Sequence, residues 1–193
     1  MNFSRSSLVL TFVVTLLSGM MIIHFFYSIT REPIHQAEIK KQAKIIQKLM
    51  PLAYDNDLLN DKIERIALGD LGTADPVPIY RARKGNQPIG VIILPVAPDG
   101  YSGPIKLAVS INFQGEVLAI NILEHHETAD FGDAIDQDHS DWLKQFIGKN
   151  ALDIEEKNGI DQISGASVSS KAVTTAIMKC LAFYHREKEQ IWK

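Results

Sequence analysis

The chain has 193 residues, 46% of them hydrophobic, a formal net charge of -3 and one cysteine. That length suits one ordinary domain plus an appendage, and the apolar content excludes a disordered chain. No basic run with interleaved aromatics is present, which argues against nucleic acid as a partner, and a lone Cys180 excludes an intrachain disulfide framework or a multi-cysteine metal or iron–sulfur centre.

After a short tail, residues 1–7, the stretch 8–27 (LVLTFVVTLLSGMMIIHFFY) carries no carboxylate, lysine or arginine. Twenty helical residues span roughly 30 Å, the hydrocarbon thickness of a bilayer. His24, Phe25, Phe26 and Tyr27 close it where an aromatic belt would lie. A cleaved signal peptide is the rival, but its apolar region is shorter and ends in a small-x-small site, for which Ser28-Ile29-Thr30 is a poor candidate. The stretch therefore reads as an uncleaved, single-pass anchor in membrane lipid. Arg5 precedes it and Arg31, Lys40, Lys41 and Lys44 follow it. Counted literally, these charges leave the main domain in the cytoplasm, but the rule weakens before a long domain, so charge alone leaves the side open.

Residues 28–51 read as a connector helix. Pro33 marks its start, Ala37, Ile45, Ile46, Leu49 and Met50 share a stripe, and Pro51 stops it. Residues 52–193 form the main domain. Asp55-Asn56-Asp57 is a turn, and Leu58–Leu71 is a short helix or strand broken by Gly69 and Gly72. Four strands follow: Ile79–Arg83, Ile89–Val96, Ile105–Ile111 and Val117–Leu123, with turns at Lys84–Gln87, Pro98–Gly100 and Gln114-Gly115. In the third, Ile105, Leu107, Val109 and Ile111 alternate with Lys106, Ala108 and Ser110. That period of two predicts an antiparallel meander with one buried face, packed with helices in an α+β fold.

Glu124-His125-His126-Glu127 invites a metal site, but adjacent strand residues point to opposite faces, and a helical zinc pair needs three or four residues between ligands. The aspartates between 130 and 141 lack the glycine and final glutamate of a calcium loop, and read as a solvated acidic loop. Trp142, Leu143, Phe146 and Ile147 predict one core-facing stripe of a short helix ended by Gly148 and Asn150. The last helix runs from about Val168 to Glu187, with Ala172, Val173, Ala176, Ile177, Cys180, Leu181 and Tyr184 on one face, which makes Cys180 a buried thiol. Ahead of it lies Ser164-Gly165-Ala166-Ser167-Val168-Ser169-Ser170. A small-residue turn feeding a helix is either a serine-rich cap of a surface helix or a phosphate cradle, because the first N–H groups of a helix have no intrahelical partner.

Three stretches together resemble a known family. Gly100-Tyr101-Ser102-Gly103-Pro104-Ile105, Glu124-His125-His126-Glu127-Thr128 and Asp161-Gln162-Ile163-Ser164-Gly165-Ala166-Ser167 look like the motifs of FMN-binding domains. The chain is most similar to the G subunit of the Rnf (or Rsx) electron transport complex, with the C subunit of the sodium-translocating NADH:quinone reductase more distant. The resemblance implies an FMN joined through its phosphate to a hydroxyl side chain, installed from FAD by a magnesium-dependent flavin transferase. The matching position is Ser167, where the family norm is threonine. Ser164, Gly165 and Ala166 would let the backbone approach the phosphate, while Glu127, Thr128, Gly132, Tyr101 and Ser102 would shape the pocket. After Thr128 the family continues Pro-Gly-Leu-Gly and this chain has Ala129-Asp130-Phe131-Gly132, so apolar contact with the ring would fall to Phe131 and a carboxylate at Asp130 would lower the potential. Also implied are further membrane subunits as partners, electron transfer with no acid–base residue, a bacterial inner-membrane location and a periplasmic domain. Two rivals remain. A hydrolase using Ser167 or Ser164 with His125 lacks the Gly-x-Ser-x-Gly elbow. A related scaffold could have lost its flavin with the change to serine.

Overall fold

The computed structural model describes residues 5–129, 132–155 and 160–193. It divides into two compact units, Met1–Gln42 and Ala43–Lys193.

Helix α1 runs from Arg5 to Leu49. It continues through Pro33, where the pattern predicts a start. A proline removes a single rung of the helix ladder, and helix-forming runs on both sides carry it past that point. In the first unit, Val9–Thr30 has a mean hydropathy of 2.2 and is long and apolar enough to cross a membrane. Its hydroxyls turn back onto its own carbonyls: Thr15 Oγ1 donates to Phe12 O (2.8 Å) and Thr30 Oγ1 to Phe26 O (2.6 Å). Such bonds let polar side chains sit in an apolar span.

The second unit opens with Ile46, Leu49 and Met50, all buried. Its sheet comprises β1 (Lys62–Arg65), β2 (Val77–Lys84), β3 (Gln87–Ile93), β4 (Val96–Ala97), β5 (Ile105–Asn112) and β6 (Val117–Glu124), antiparallel at every pairing. β3 and β4 lie along the same side of β5 in one register, Ile93 opposite Val109 and Val96 opposite Lys106. They are one strand interrupted at Pro95, whose carbonyl still accepts the Leu107 N–H at 3.0 Å, as a residue with an acceptor but no donor must. The topology is thus the expected meander, extended by β1.

Both faces of the sheet's centre are buried, not one. Leu107, Val109 and Ile111 on one face and Ala108, Ser110 and Ile92 on the other are fully covered. Ser110 Oγ lies 3.9 Å from Met50 Sδ, so the residue that follows α1 reaches the face expected to be solvated. Alternation cannot signal this, because alanine and serine fill tight packing as readily as they face water.

Helix α2 (Leu68–Leu71) contains Gly69 and ends at Gly72, which is left-handed (φ 73°); Gly69 therefore does not break it. Segment 132–141 is not a solvated loop. A 3₁₀ turn over Gly132–Ile135 buries Ile135 completely, Asp136 sits 3.6 Å from His125 Nε2, and Asp133 3.7 Å from His139 Nε2. A second 3₁₀ turn, Trp142–Phe146, buries Trp142, Leu143 and Phe146, whereas Ile147 falls beyond its end and is exposed. Helix α3 (Ala151–Glu155) follows. Helix α4 (Ser167–Ile191) supplies Val173, Ile177, Cys180, Leu181 and Tyr184 to the core. It runs a turn past the expected end because Ile191 is buried and Trp192 lies under the Arg83 guanidinium, 5.0 Å from its ring centre.

Candidate cofactor cleft

The cleft is built where three chain segments meet the start of α4. The first is the turn between β4 and β5. Gly103 N donates to Gly100 O at 3.3 Å, and Gly103 has φ 124°. Tyr101 N reaches Ser169 Oγ of α4 at 3.4 Å, and Ser102 N donates to Glu127 Oε1 at 3.3 Å. A β-carbon on Gly100 would stand 2.3 Å from Gly103 O and 3.0 Å from Glu127 Oε1, so only glycine fits.

The second segment leaves β6. Glu127 N donates to His125 Nδ1 at 3.2 Å, and His125, whose Nε2 lies 3.6 Å from Asp136 Oδ2, is not among the described lining residues of the cleft. The Thr128 carbonyl accepts Gly132 N at 2.9 Å and Asp133 N at 3.3 Å, closing a tight loop. A β-carbon on Gly132 would lie 2.8 Å from Glu127 Cβ. Glu127 is therefore a buried carboxylate, 9% exposed, packed between two glycines and bonded across to the first segment. It pins one wall of the cleft to the other.

The third segment enters α4. The Trp142 indole donates to Asp161 O at 2.6 Å and Gln145 Oε1 accepts Asp161 N at 3.0 Å. Ala166 N closes a turn on Ile163 O (3.1 Å), Gly165 adopts φ 86°, and Ser170 N makes the first helical bond to Ala166 O (2.9 Å). Ala166 stands at the cap position, and no side chain caps the helix. The N–H groups of Ser167, Val168 and Ser169 precede that first bond and have no partner within the helix, and the helix dipole adds partial positive charge there.

These walls enclose about 420 Å³, a volume within the usual range of small-molecule sites. Tyr101, Glu127, Thr128, Gly132, Gly165, Ala166 and Ser167 line the space, joined by Val168 and Ser169. The other predicted positions stand apart. Ser102 contributes its backbone N–H to Glu127 rather than a lining side chain, Ser164 is exposed in the turn, and Asp130 and Phe131 lie outside the described residues. Sequence reasoning did not single out Trp142 and Gln145 as parts of the site, nor pair Ser169 with the Tyr101 turn. Trp142 was recognisable only as core, and nothing in the sequence joins it to Asp161.

A model of the FMN-binding domain matches residues 100–182, the span that contains all three segments. Relatives named as the G subunit of an ion-translocating oxidoreductase complex align along most of the chain. One from Yersinia pestis is 39% identical over 153 residues, covering 74% of this chain and 72% of the relative. The chain belongs to this G-subunit family. The relative from Vibrio cholerae is 33% identical over 173 residues, covering 86% and 83%, and that from Pseudomonas aeruginosa 34% over 166 residues, covering 80% and 78%.

The residues present fit the cofactor in that domain's name. An uncapped helix start offers donors and positive potential to a phosphate. Ser167, at the first helical position, is exposed and lines the cleft. Glu127 is the single charged residue among the described lining residues, so no lysine or arginine among them neutralises an anion. In a G-subunit chain with this lining, backbone donors and the hydroxyls of Ser167, Ser169, Thr128 and Tyr101 are the groups available to a phosphate.

Proposed function

We propose that this chain is a membrane-anchored flavoprotein subunit of an ion-translocating electron transport complex, carrying FMN bonded through its phosphate to Ser167 Oγ. The observation that carries the proposal is the meeting of the three motifs in one cleft, with the Ser167 hydroxyl at the uncapped start of α4. When bound, FMN supplies electron transfer in single steps; the protein supplies position and electrostatics. Ser167 would hold the phosphate by a phosphoester, and the N–H groups of Val168 and Ser169 would face its oxygens. Gly165 and Ala166 would let the backbone approach, while Glu127, Thr128, Gly132 and Tyr101 would bound the remainder. A lining without a cationic side chain among its described residues is consistent with a covalent link, since a bond does the holding that a charge pair otherwise does.

A tether also suits a domain in the periplasm, where lost cofactor cannot be replaced from the cytoplasmic pool. The apolar helix would then be a single inner-membrane span, and the complex's other membrane subunits and a flavin transferase would be the partners. Intact mass of the chain made with its transferase tests the attachment. An FMN-sized increment on the wild type that disappears in Ser167→Ala is expected; its absence from the wild type, or its survival in the variant, refutes it. Gln190→Cys at an exposed position, labelled on intact cells by an impermeant maleimide, tests the side of the membrane; the native Cys180 is fully buried and stays silent.

A further inference from the structure

Among the described residues of the cleft, Tyr101 is the one aromatic side chain, and it is 76% exposed. Its backbone is held by Ser169 Oγ (3.4 Å), and the next N–H is held by Glu127 (3.3 Å). The turn is flanked by Gly100, which has no room for a β-carbon, and by Gly103 at φ 124°. The mount is thus fixed on both sides, while a large amphipathic ring stands bare at the mouth of a cleft. A single exposed apolar side chain is ordinary on a protein surface; what singles out Tyr101 is that it borders the cleft on a turn whose backbone is held in place. A tyrosine has few rotatable bonds, so ordering it on a ligand costs little entropy.

We infer that the Tyr101 ring covers the bound isoalloxazine, packing against its face at the mouth of the cleft. This rests on the flavin reading above and assigns Tyr101 a positioning role within it. An electron-rich phenol stacked on a flavin quenches its fluorescence, and a planar apolar contact shields the ring from water.

The test uses the full chain in detergent, made with its transferase, with intact mass recorded first. Tyr101→Ala should keep the flavin and brighten it several-fold, and Tyr101→Phe, which keeps the ring but loses the electron-donating phenol, should keep the flavin and brighten it as well. An exposed position makes both changes nearly neutral to folding, which a melting curve checks. Independently, nitration with tetranitromethane, mapped by peptide mass, should modify Tyr101 several-fold more slowly in flavin-loaded wild type than in the flavin-free Ser167→Ala chain. Other tyrosines interfere little. Tyr27, in the apolar helix, is read on a separate peptide; Tyr184 is buried, Tyr54 and Tyr80 are half-buried, and burial pushes the Tyr80 and Tyr184 phenols up, away from the reactive phenolate. Flavin present with unchanged emission in Tyr101→Ala and equal nitration overturns the inference and leaves the attachment standing. No flavin on the wild type overturns both.

Discussion

The two helices that follow each other at the end of the chain start in opposite ways. Helix α3 has five residues and a complete cap: Asn150 Oδ1 accepts the N–H groups of Leu152 (2.9 Å) and Asp153 (3.2 Å), and Asp153 Oδ2 accepts Asn150 N in return at 2.8 Å. Helix α4 has 25 residues and an alanine where the cap should be. The difference follows from what each start must do. A short helix gains more from having its orphan donors satisfied, because helix nucleation is unfavourable and there are few rungs to offset it, although the four-residue α2 stands with Ala67 at its cap position and no side-chain bond there. A long helix anchored by Val173, Ile177, Cys180 and Tyr184 can leave its first donors open. Serines crowd the start of α4, yet none caps it: Ser169 faces the Tyr101 backbone, and Ser170 Oγ donates to Ser167 O. The first turn is thus left without a side-chain cap, although four serines stand at or beside it.

The strongest break in that comparison is Ser167→Ala. It should remove the flavin altogether, by mass and by absorbance of the denatured chain, while the melting temperature of the flavin-free form barely moves, because the side chain is exposed and caps nothing. Ser167→Thr should restore attachment. A capping role for this serine would give the reverse, a stability loss with flavin retained. Next in size is Gly100→Ala. Its β-carbon would meet Gly103 O at 2.3 Å and Ile105 Cδ1 at 2.9 Å, and backbone cannot move aside as a flexible side chain can. Overpacking of this kind costs about 2 kcal/mol, so urea denaturation should show a lowered midpoint. Because the same turn is bonded to Glu127 and Ser169, flavin attachment should fall with it.

How much of this was legible beforehand depends on the range of each interaction. The four central strands and the α4 stripe follow from periodicity and the apolar helix from composition, all local signals, and the structure has them within a few residues. The second buried face of the sheet was not legible, because it depends on Met50 arriving at Ser110 from sixty positions away. The acidic segment was misjudged for a related reason. Asp133 and Asp136 look like solvated charges until His139 and His125 are found beside them, and Ile135 beneath. Ile147 was assigned to a helix face on α spacing, but the turn is 3₁₀ and ends one residue earlier. At the cleft, residue types and spacing pointed to the three motifs. That Glu127 joins two of them, and that Trp142 and Gln145 hold the third through Asp161, is visible only in three dimensions.

Two smaller changes test the capped side of the comparison and its surface background. Asn150→Ala removes the one side-chain acceptor that holds the Leu152 and Asp153 N–H groups at the start of α3 and should cost about 1 kcal/mol with no change in flavin content. A loss of flavin there would mean that the two helix starts are coupled, since α3 packs against α4. The smallest effect belongs to Lys106 and Glu124, opposed on β5 and β6 at 2.7 Å and both half-exposed. The hydrogen bond from Lys106 holds the Glu124 carboxyl below the ordinary glutamate range, partly offset by burial and aided by the Lys106 and His126 charges. A carboxylate lowered in the folded state contributes stability that is full above its unfolded pKa and is lost as pH falls through its folded value. Lys106→Met should therefore cost only about 0.5 kcal/mol at neutral pH, as exposed pairs do. The gap from wild type should close as the solution is acidified below the folded value of Glu124, and should shrink in high salt. A gap that persisted in acid would place the lysine's contribution in the packing of its methylenes rather than in the charge pair.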